Sequence, residues 1–144
     1  MAEADRTGQR GLDQAAVARF HGVFNIVSGL WPLLSTRSFE AVFGRKQDRW
    51  LQYSVAGLLL AVGCAQTRTG RDPASLRTAR TVGVGTALTL LSIDLRYAPQ
   101  GRIPRTYLLD ALLEAGWLTA WLRAAPPATR TDRSTNPTAK STHQ

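Results

Sequence analysis

Hydrophobic positions in this chain fall into four runs, separated by short polar and arginine-containing gaps. The runs cover residues 17–35, 49–66, 76–97 and 103–122. Each is about 17 to 22 residues long, and a helix of that length can cross a hydrocarbon core of about 30 Å. The pattern predicts an all-α fold, a four-helix transmembrane bundle with these runs as its spans.

Aromatic residues fall at the ends of these runs. Trp31 and Tyr97 lie near the ends of the first and third runs, Trp50 opens the second, and Trp121 closes the fourth. Tyr and Trp favour the boundary between lipid and water, where the ring is half solvated. Their placement supports the four predicted spans.

A short helix is predicted between the first two spans. Ser38 can cap it, Gly44 can end it, and Phe39, Val42 and Phe43 share one of its faces. Such a helix would lie in the membrane interface. The domain organisation is therefore a polar N-terminal segment at 1–16, a membrane domain at 17–123 and a disordered tail at 124–144.

The net charge of +8 and the pI of 11.0 come from basic residues that recur in every gap rather than in one patch. This scatter, without a known nucleic-acid-binding motif, argues against a nucleic-acid partner. Ten arginines lie near the spans on the side of the termini, against seven basic residues on the other side. The excess predicts a cell-membrane protein with both termini cytoplasmic.

Two stretches of the chain resemble a group of small, uncharacterised bacterial integral membrane proteins with four transmembrane helices. They read "RSFEAVFGRKQDRWLQYSVAGLLLAVG" and "IDLRYAPQGRIPRTYLLDALLEAGWLTAW". The resemblance covers most of residues 20–122. It implies a membrane location and the helix count, and it carries over no functional residue.

Two carboxyl groups interrupt the fourth apolar run. Asp110 and Glu114 are four residues apart and share a helical stripe with Tyr107, Trp117 and Trp121. A charged side chain near the centre of a span costs about 2.5–3.5 kcal/mol. The helix therefore needs neighbours that satisfy the acids, or acids that are protonated.

Comparable polar stripes occur on the first and third spans. The first carries His21, Asn25 and Ser28, and the third leads from Gly83 to Asp94. If all three stripes face inward, they meet in the interior of the bundle. Small residues at four-residue spacing, such as those at 57 and 61 in the second span, predict close helix packing.

The inward stripes predict a polar pocket at membrane depth. Its expected lining is Asn25, Ser28, Asp94, Asp110 and Glu114, with His21 as a possible proton partner. A structural alternative is that these groups satisfy one another, or pair with arginines near the interface. We expect Glu114 and Asn25 to face one another and to share a hydrogen bond.

No catalytic motif, metal-ligand spacing or cofactor fingerprint is present in the sequence. The expected function is non-enzymatic: binding of a lipid-like or amine ligand in the pocket, or scaffolding of a membrane protein partner, with membrane lipids around it. The alternative is a membrane-embedded enzyme that acts on an apolar substrate through Glu114 and Asp110.

Overall fold

The computed structural model describes residues 12–45 and 48–125 of the chain. The described residues form five helices: α1 Gln14–Leu34, α2 Thr36–Phe43, α3 Arg49–Thr67, α4 Pro73–Tyr97 and α5 Tyr107–Arg123. The predicted all-α class is confirmed, and a helix lies at each of the five predicted positions. Of the tail predicted to be disordered, Ala124 and Ala125 are described as a short strand, and residues 126–144 lie outside the described residues.

The first helix begins earlier than predicted. Asp13 caps α1, its Oδ1 accepting from the backbone N–H of Ala15 at 3.1 Å. Helix α1 therefore starts at Gln14, inside the predicted polar N-terminal segment, and not at 17.

The start of α4 is set by a similar cap. Asp72 accepts from the backbone N–H of Ser75 at 2.9 Å, and Pro73 occupies the first helical position, where its missing N–H costs nothing. Hydrogen bonds with Ser75 also hold the pKa of Asp72 below its ordinary value. Helix α4 therefore begins three residues before the predicted apolar run.

The predicted starts of α2 and α5 are also wrong. Ser35, and not Ser38, is the N-cap of α2; its hydroxyl oxygen accepts from the backbone N–H of Ser38 at 3.4 Å. Helix α5 begins at Tyr107, four residues after the predicted start, because the preceding chain turns at Gly101 (φ 68°) and Pro104. Gly44 ends α2 as predicted.

The bundle consists of two helix pairs. Helix α1 packs most extensively on α3, and α4 packs most extensively on α5. A Cβ on Gly63 would lie 2.5 Å from the carbonyl oxygen of Gly22, and one on Gly29 would lie 2.5 Å from that of Ala56. The first pair is therefore in backbone contact, which only small residues allow.

The first and last described segments of the chain meet at one end of the bundle. Leu12 and Asp13 form a two-residue parallel bridge with Ala124 and Ala125. The side-chain amide of Gln14 donates to the carbonyl of Ala124 at 3.4 Å. These contacts place the start of α1 beside the end of α5, so the two helices run antiparallel.

Aromatic contacts attach α2 to the opposite end. Trp31 meets the rings of Phe39 and Phe43 edge-on, with centroids 5.7 and 5.9 Å apart, and Phe43 contacts Tyr107 at 4.8 Å. The hydroxyl of Thr106 donates to the carbonyl of Val42 at 2.8 Å. The apolar face of α2 is thus held against the end of the bundle.

Large apolar side chains lie on the outside of this bundle, and small or polar ones lie inside. Most buried apolar residues are alanines, whereas Phe20, Leu34, Trp50 and Leu112 are between 69% and 80% exposed. Over the described stretches, no helix combines the length and mean hydropathy expected for crossing a bilayer.

Candidate functional site

Polar side chains fill the interior between the two helix pairs. Three of them, His21 and Asn25 from α1 and Glu114 from α5, have 0% exposure. Gln66 from α3 and Asp94 from α4 are almost as deeply buried. All four long helices contribute a polar residue to this interior, which we call the polar core.

A hydrogen-bonded chain crosses the polar core. The indole Nε1–H of Trp121 donates to His21 Nδ1 at 3.0 Å, and the amide nitrogen of Gln66 lies 3.4 Å from the same ring nitrogen. Asn25 Nδ2 in turn donates to Gln66 Oε1 at 2.8 Å. Helices α1, α3 and α5 are therefore joined through side chains that water does not reach.

These contacts fix the form of His21. An indole nitrogen can only donate, so Nδ1 must accept, and a neutral imidazole then carries its proton on Nε2. The ring also stacks on Trp117, with centroids 4.6 Å apart and planes inclined by 13°. His21 is thus held in one orientation, with an N–H available on Nε2.

On α4, Gly83 leaves room for the hydrogen-bonded side chains of Trp121 and Gln66. A Cβ at this position would lie 2.6 Å from Trp121 Nε1 and 2.8 Å from Gln66 Nε2. Any larger residue would displace both side chains. The predicted stripe from Gly83 to Asp94 therefore faces the interior, with small residues where α5 and α3 approach most closely.

Carboxyl groups gather on the side of the polar core nearer α2. Asp94 and Asp110 are within hydrogen-bonding reach of each other. Both are close enough to Glu114 to interact with its charge, and Tyr107 lies within range of both aspartates. The acids of α4 and α5 thus form one electrostatic group.

Four polar atoms of the core have no hydrogen-bond partner among the described residues. They are Nε2 of His21, Oδ1 of Asn25 and both carboxyl oxygens of Glu114. The predicted hydrogen bond between Glu114 and Asn25 is therefore wrong. The amide of Asn25 is instead oriented by Gln66, which the prediction did not include.

These four atoms, which we call the orphan atoms, nevertheless belong to residues at similar depth along the bundle. The Leu12–Ala124 pairing sets the level of α1 against α5. Counting about 1.5 Å per residue from that pair, His21 lies about 13 Å along α1, Asn25 about 20 Å, and Glu114 about 15 Å along α5. Glu114 is thus level with the stretch between His21 and Asn25.

The other predicted lining residues are less buried. Ser28 and Asp110 are half-buried. Trp121, predicted at the membrane boundary, is fully buried as a hydrogen-bond donor. Gln66 was missed; its signal is that it follows Gly63 by three residues and so lies on the face of α3 that packs against α1.

A cavity of about 380 Å³ lies at the end of the bundle where residues 12–13 pair with residues 124–125. It lies between the C-terminal end of α3 and the first turns of α4, with Thr69, Ser75 and Thr78 in its wall. Gln66 also lines it, and Gln66 contacts both Asn25 and His21. Gln66 therefore belongs both to the wall of the cavity and to the polar core.

Positive charge is confined to the surface. Every arginine within 12–45 and 48–125 is exposed, apart from the half-buried Arg80. The ion pairs Arg49–Glu40 and Arg71–Asp13 lie at opposite ends of the bundle. In the same residues no group of three or more His, Cys, Asp or Glu side chains is arranged to hold a metal ion.

No family model, curated protein or solved structure matches this chain. The resemblance to small four-helix bacterial membrane proteins therefore stays a prediction.

Proposed function

We propose that this chain is an integral membrane protein whose polar core binds a ligand with a protonated amine, with Glu114 as the anionic partner. The observation that carries the proposal is that Glu114 is fully buried and neither of its oxygens accepts a hydrogen bond from the described residues. Burying a polar group without a hydrogen-bond partner costs free energy. Each such group in a native structure therefore needs an explanation, such as a bound ligand.

The inverted distribution of side chains supports the membrane location. Exposed large apolar side chains occur on all four long helices, including Val27, Leu58, Leu88 and Leu113. A soluble monomer rarely exposes large apolar side chains on every side. Lipid, in contrast, is a favourable environment for such a surface. Polar residues at the inward positions lower the mean hydropathy of each helix without exposing a polar group to lipid.

Hydroxyl groups on the outer surface give a second, independent argument. Exposed Ser54, Thr81, Thr89, Ser92 and Thr119 each donate to the carbonyl oxygen four residues earlier, at 2.6 to 3.1 Å. Each side chain is satisfied by its own helix and needs no water. This arrangement suits a helix surface in contact with lipid.

Charge along the helices is compatible with a bilayer. Helix α3 carries no charged residue from 50 to 67, a stretch of about 27 Å. On α1 and α4 the exposed arginines lie towards the helix ends, where long side chains can reach the headgroups. The acids of α5 face the interior.

The orphan atoms suggest the chemistry of the ligand. Asn25 Oδ1 and the two oxygens of Glu114 are three acceptors without a donor. An ammonium group has three N–H donors and a positive charge, which no buried arginine supplies in the described residues. Intramembrane acids of this kind are typical partners of cationic groups.

The cavity beside Gln66 provides a route for this ligand. Its wall includes residues of the α3–α4 turn and Gln66, whose amide holds Asn25 and contacts His21. We propose that the ligand passes Gln66 when this side chain changes rotamer.

Thermal unfolding in a neutral detergent tests the ligand. Hexylamine should raise the Tm of the wild-type protein in proportion to the logarithm of its concentration above Kd, while hexanol should not. Glu114→Gln should abolish the response. Glu40→Gln removes another partly buried glutamate, which lies at the α2 end, and should retain it.

The Glu114→Gln variant also separates binding from a purely structural role. A ligand-binding carboxyl can be replaced with little loss of stability in the empty protein. A loss of about 1–3 kcal/mol in the free energy of unfolding, without any amine response in the wild type, would contradict the proposal. Scaffolding of a membrane partner and catalysis through Glu114 and Asp110 stay predictions.

A further inference from the structure

A second site is suggested at the α2 end of the bundle, far from the polar core. A groove of about 550 Å³ runs along α2 towards the start of α3. It is lined by Thr36, Arg37, Glu40, Ala41, Arg45 and Arg49. Three arginines against one glutamate give this groove a net positive charge.

The position of the groove is fixed by the packing of α2. Phe39 and Phe43 face Trp31, so the opposite face of α2 carries Arg37 and Ala41 outward. Gly44 turns the chain at φ 75°, which sets the position of Arg45 immediately after it. The groove is therefore built on a helix that is anchored on its other side.

Glu40 orients one of the arginines without neutralising the groove. Its carboxyl group is largely buried and lies 3.8 Å from Arg49 Nε, which leaves the exposed Arg49 guanidinium able to contact a further anion. Arg37 and Arg45 are exposed. Arginine pairs readily with phosphate oxygens because its planar donors match their geometry.

Exposed apolar side chains lie next to the lining residues in the sequence. Leu34 is 80% exposed and Trp50 is 69% exposed, and these residues flank α2 and the start of α3. A free anion would not cover them. An occupant with a phosphate beside an acyl chain can pair with the arginines and cover exposed apolar side chains nearby.

We propose that the groove lined by Arg37, Arg45 and Arg49 binds the phosphate diester of an anionic lipid headgroup. The inference rests on the membrane location proposed above, and it is independent of the amine ligand. Basic residues next to a membrane-embedded helix attract anionic lipids by short-range electrostatics, which falls with added salt.

The test measures binding of short-chain phosphatidylglycerol to the full chain in neutral detergent, with phosphatidylcholine and inorganic phosphate as separate ligands. We expect binding of phosphatidylglycerol alone. The double variant R37Q/R45Q should weaken it about 30-fold, or about 5-fold for each arginine. Arg49 is kept so that Glu40 retains its partner.

A matched control removes the same charge at the same end of the bundle. Arg102 and Arg105 are exposed between α4 and α5 and do not line the groove. R102Q/R105Q should bind phosphatidylglycerol as the wild type does. An equal loss in this control, or equal binding of inorganic phosphate, would overturn the lipid site.

Partition between detergent and aqueous phases distinguishes failure of the proposed membrane location from failure of the lipid site alone. A chain that stays in the aqueous phase contradicts the membrane location and with it the lipid site. A chain that enters detergent but does not prefer phosphatidylglycerol over phosphatidylcholine contradicts the lipid site alone.

Discussion

Replacing His21 by Phe tests whether the hydrogen-bonded chain holds the helices together. Phe keeps the ring that stacks on Trp117 but removes the nitrogen that accepts from Trp121. The indole N–H then remains buried without a partner, and the amide of Gln66 loses its contact with the ring. We therefore expect His21→Phe to destabilise the bundle.

The magnitude follows from the number of groups left unsatisfied. One buried donor without a partner costs about 1–3 kcal/mol in the free energy of unfolding. The coupling between two side chains that bond across membrane helices is smaller, about 0.6 and at most about 1.7 kcal/mol, because the unfolded chain also finds partners in the membrane. His21→Phe should thus cost about 1–3 kcal/mol, of which the coupling to Trp121 is a part.

A double-mutant cycle isolates that coupling. The variants are His21→Phe, Trp121→Phe and the pair together, and the measurement is reversible unfolding in mixed detergent micelles. Removing donor and acceptor together leaves neither unsatisfied, so the double variant should cost less than the sum of the single ones. If the stability losses of the two single variants simply add, or if His21→Phe is as stable as the wild type, the hydrogen-bonded side chains do not hold the helices together.

Three further predictions concern packing, capping and topology. Gly63→Ala places a Cβ 2.5 Å from the Gly22 carbonyl and should cost about 1–3 kcal/mol of unfolding free energy in detergent, whereas Gly57→Ala, with nothing within 4 Å, should be neutral or stabilising. Because the pKa of Asp72 is lowered by its hydrogen bonds, its cap stabilises α4 above the ordinary carboxyl pKa and is lost as the pH falls through the lowered value. Asp72→Asn should remove this acid dependence of amide exchange at the start of α4, and an unchanged profile would argue against the cap. Reporter fusions after Ala125 should give a cytoplasmic signal; an external signal would reverse the orientation.

The inward faces of three helices could be predicted because their polar residues recur at helical spacing. His21 and Asn25 are four residues apart, as are Asp110 and Glu114, and the structure buries both members of the first pair and Glu114 of the second. Periodicity identifies which side chains share a face. It does not give their partners, so the hydrogen bond between Asn25 and Gln66 appeared only in the structure.

The face of α3 was predicted with the wrong register. Gly57 and residue 61 have the four-residue spacing typical of helix contacts, yet both are exposed. The contact with α1 instead uses Ala56 and Gly63, which lie on a different face of α3 and meet Gly29 and Gly22. Small residues were available on two faces, and only the partner helix decides between them.

The helix starts are set by capping and turn residues, which the apolar runs do not include. Asp13 and Asp72 precede the runs and cap α1 and α4, so both helices begin before their first strongly apolar residue. Gly101 and Pro104 delay α5 although the residues between them include Ile103. Hydropathy alone therefore shifted three starts by three or four residues.

Washing membranes with alkaline carbonate tests the central claim most directly, since it releases proteins held at the surface and retains those with helices embedded in lipid. If the proposed location is right, the chain should remain in the membrane pellet and should be released only by detergent, because large apolar side chains are exposed on all four long helices and Asp94 and Glu114 are buried between them. Recovery of the folded chain in the carbonate supernatant would contradict the membrane location and leave the exposed apolar surface to another partner.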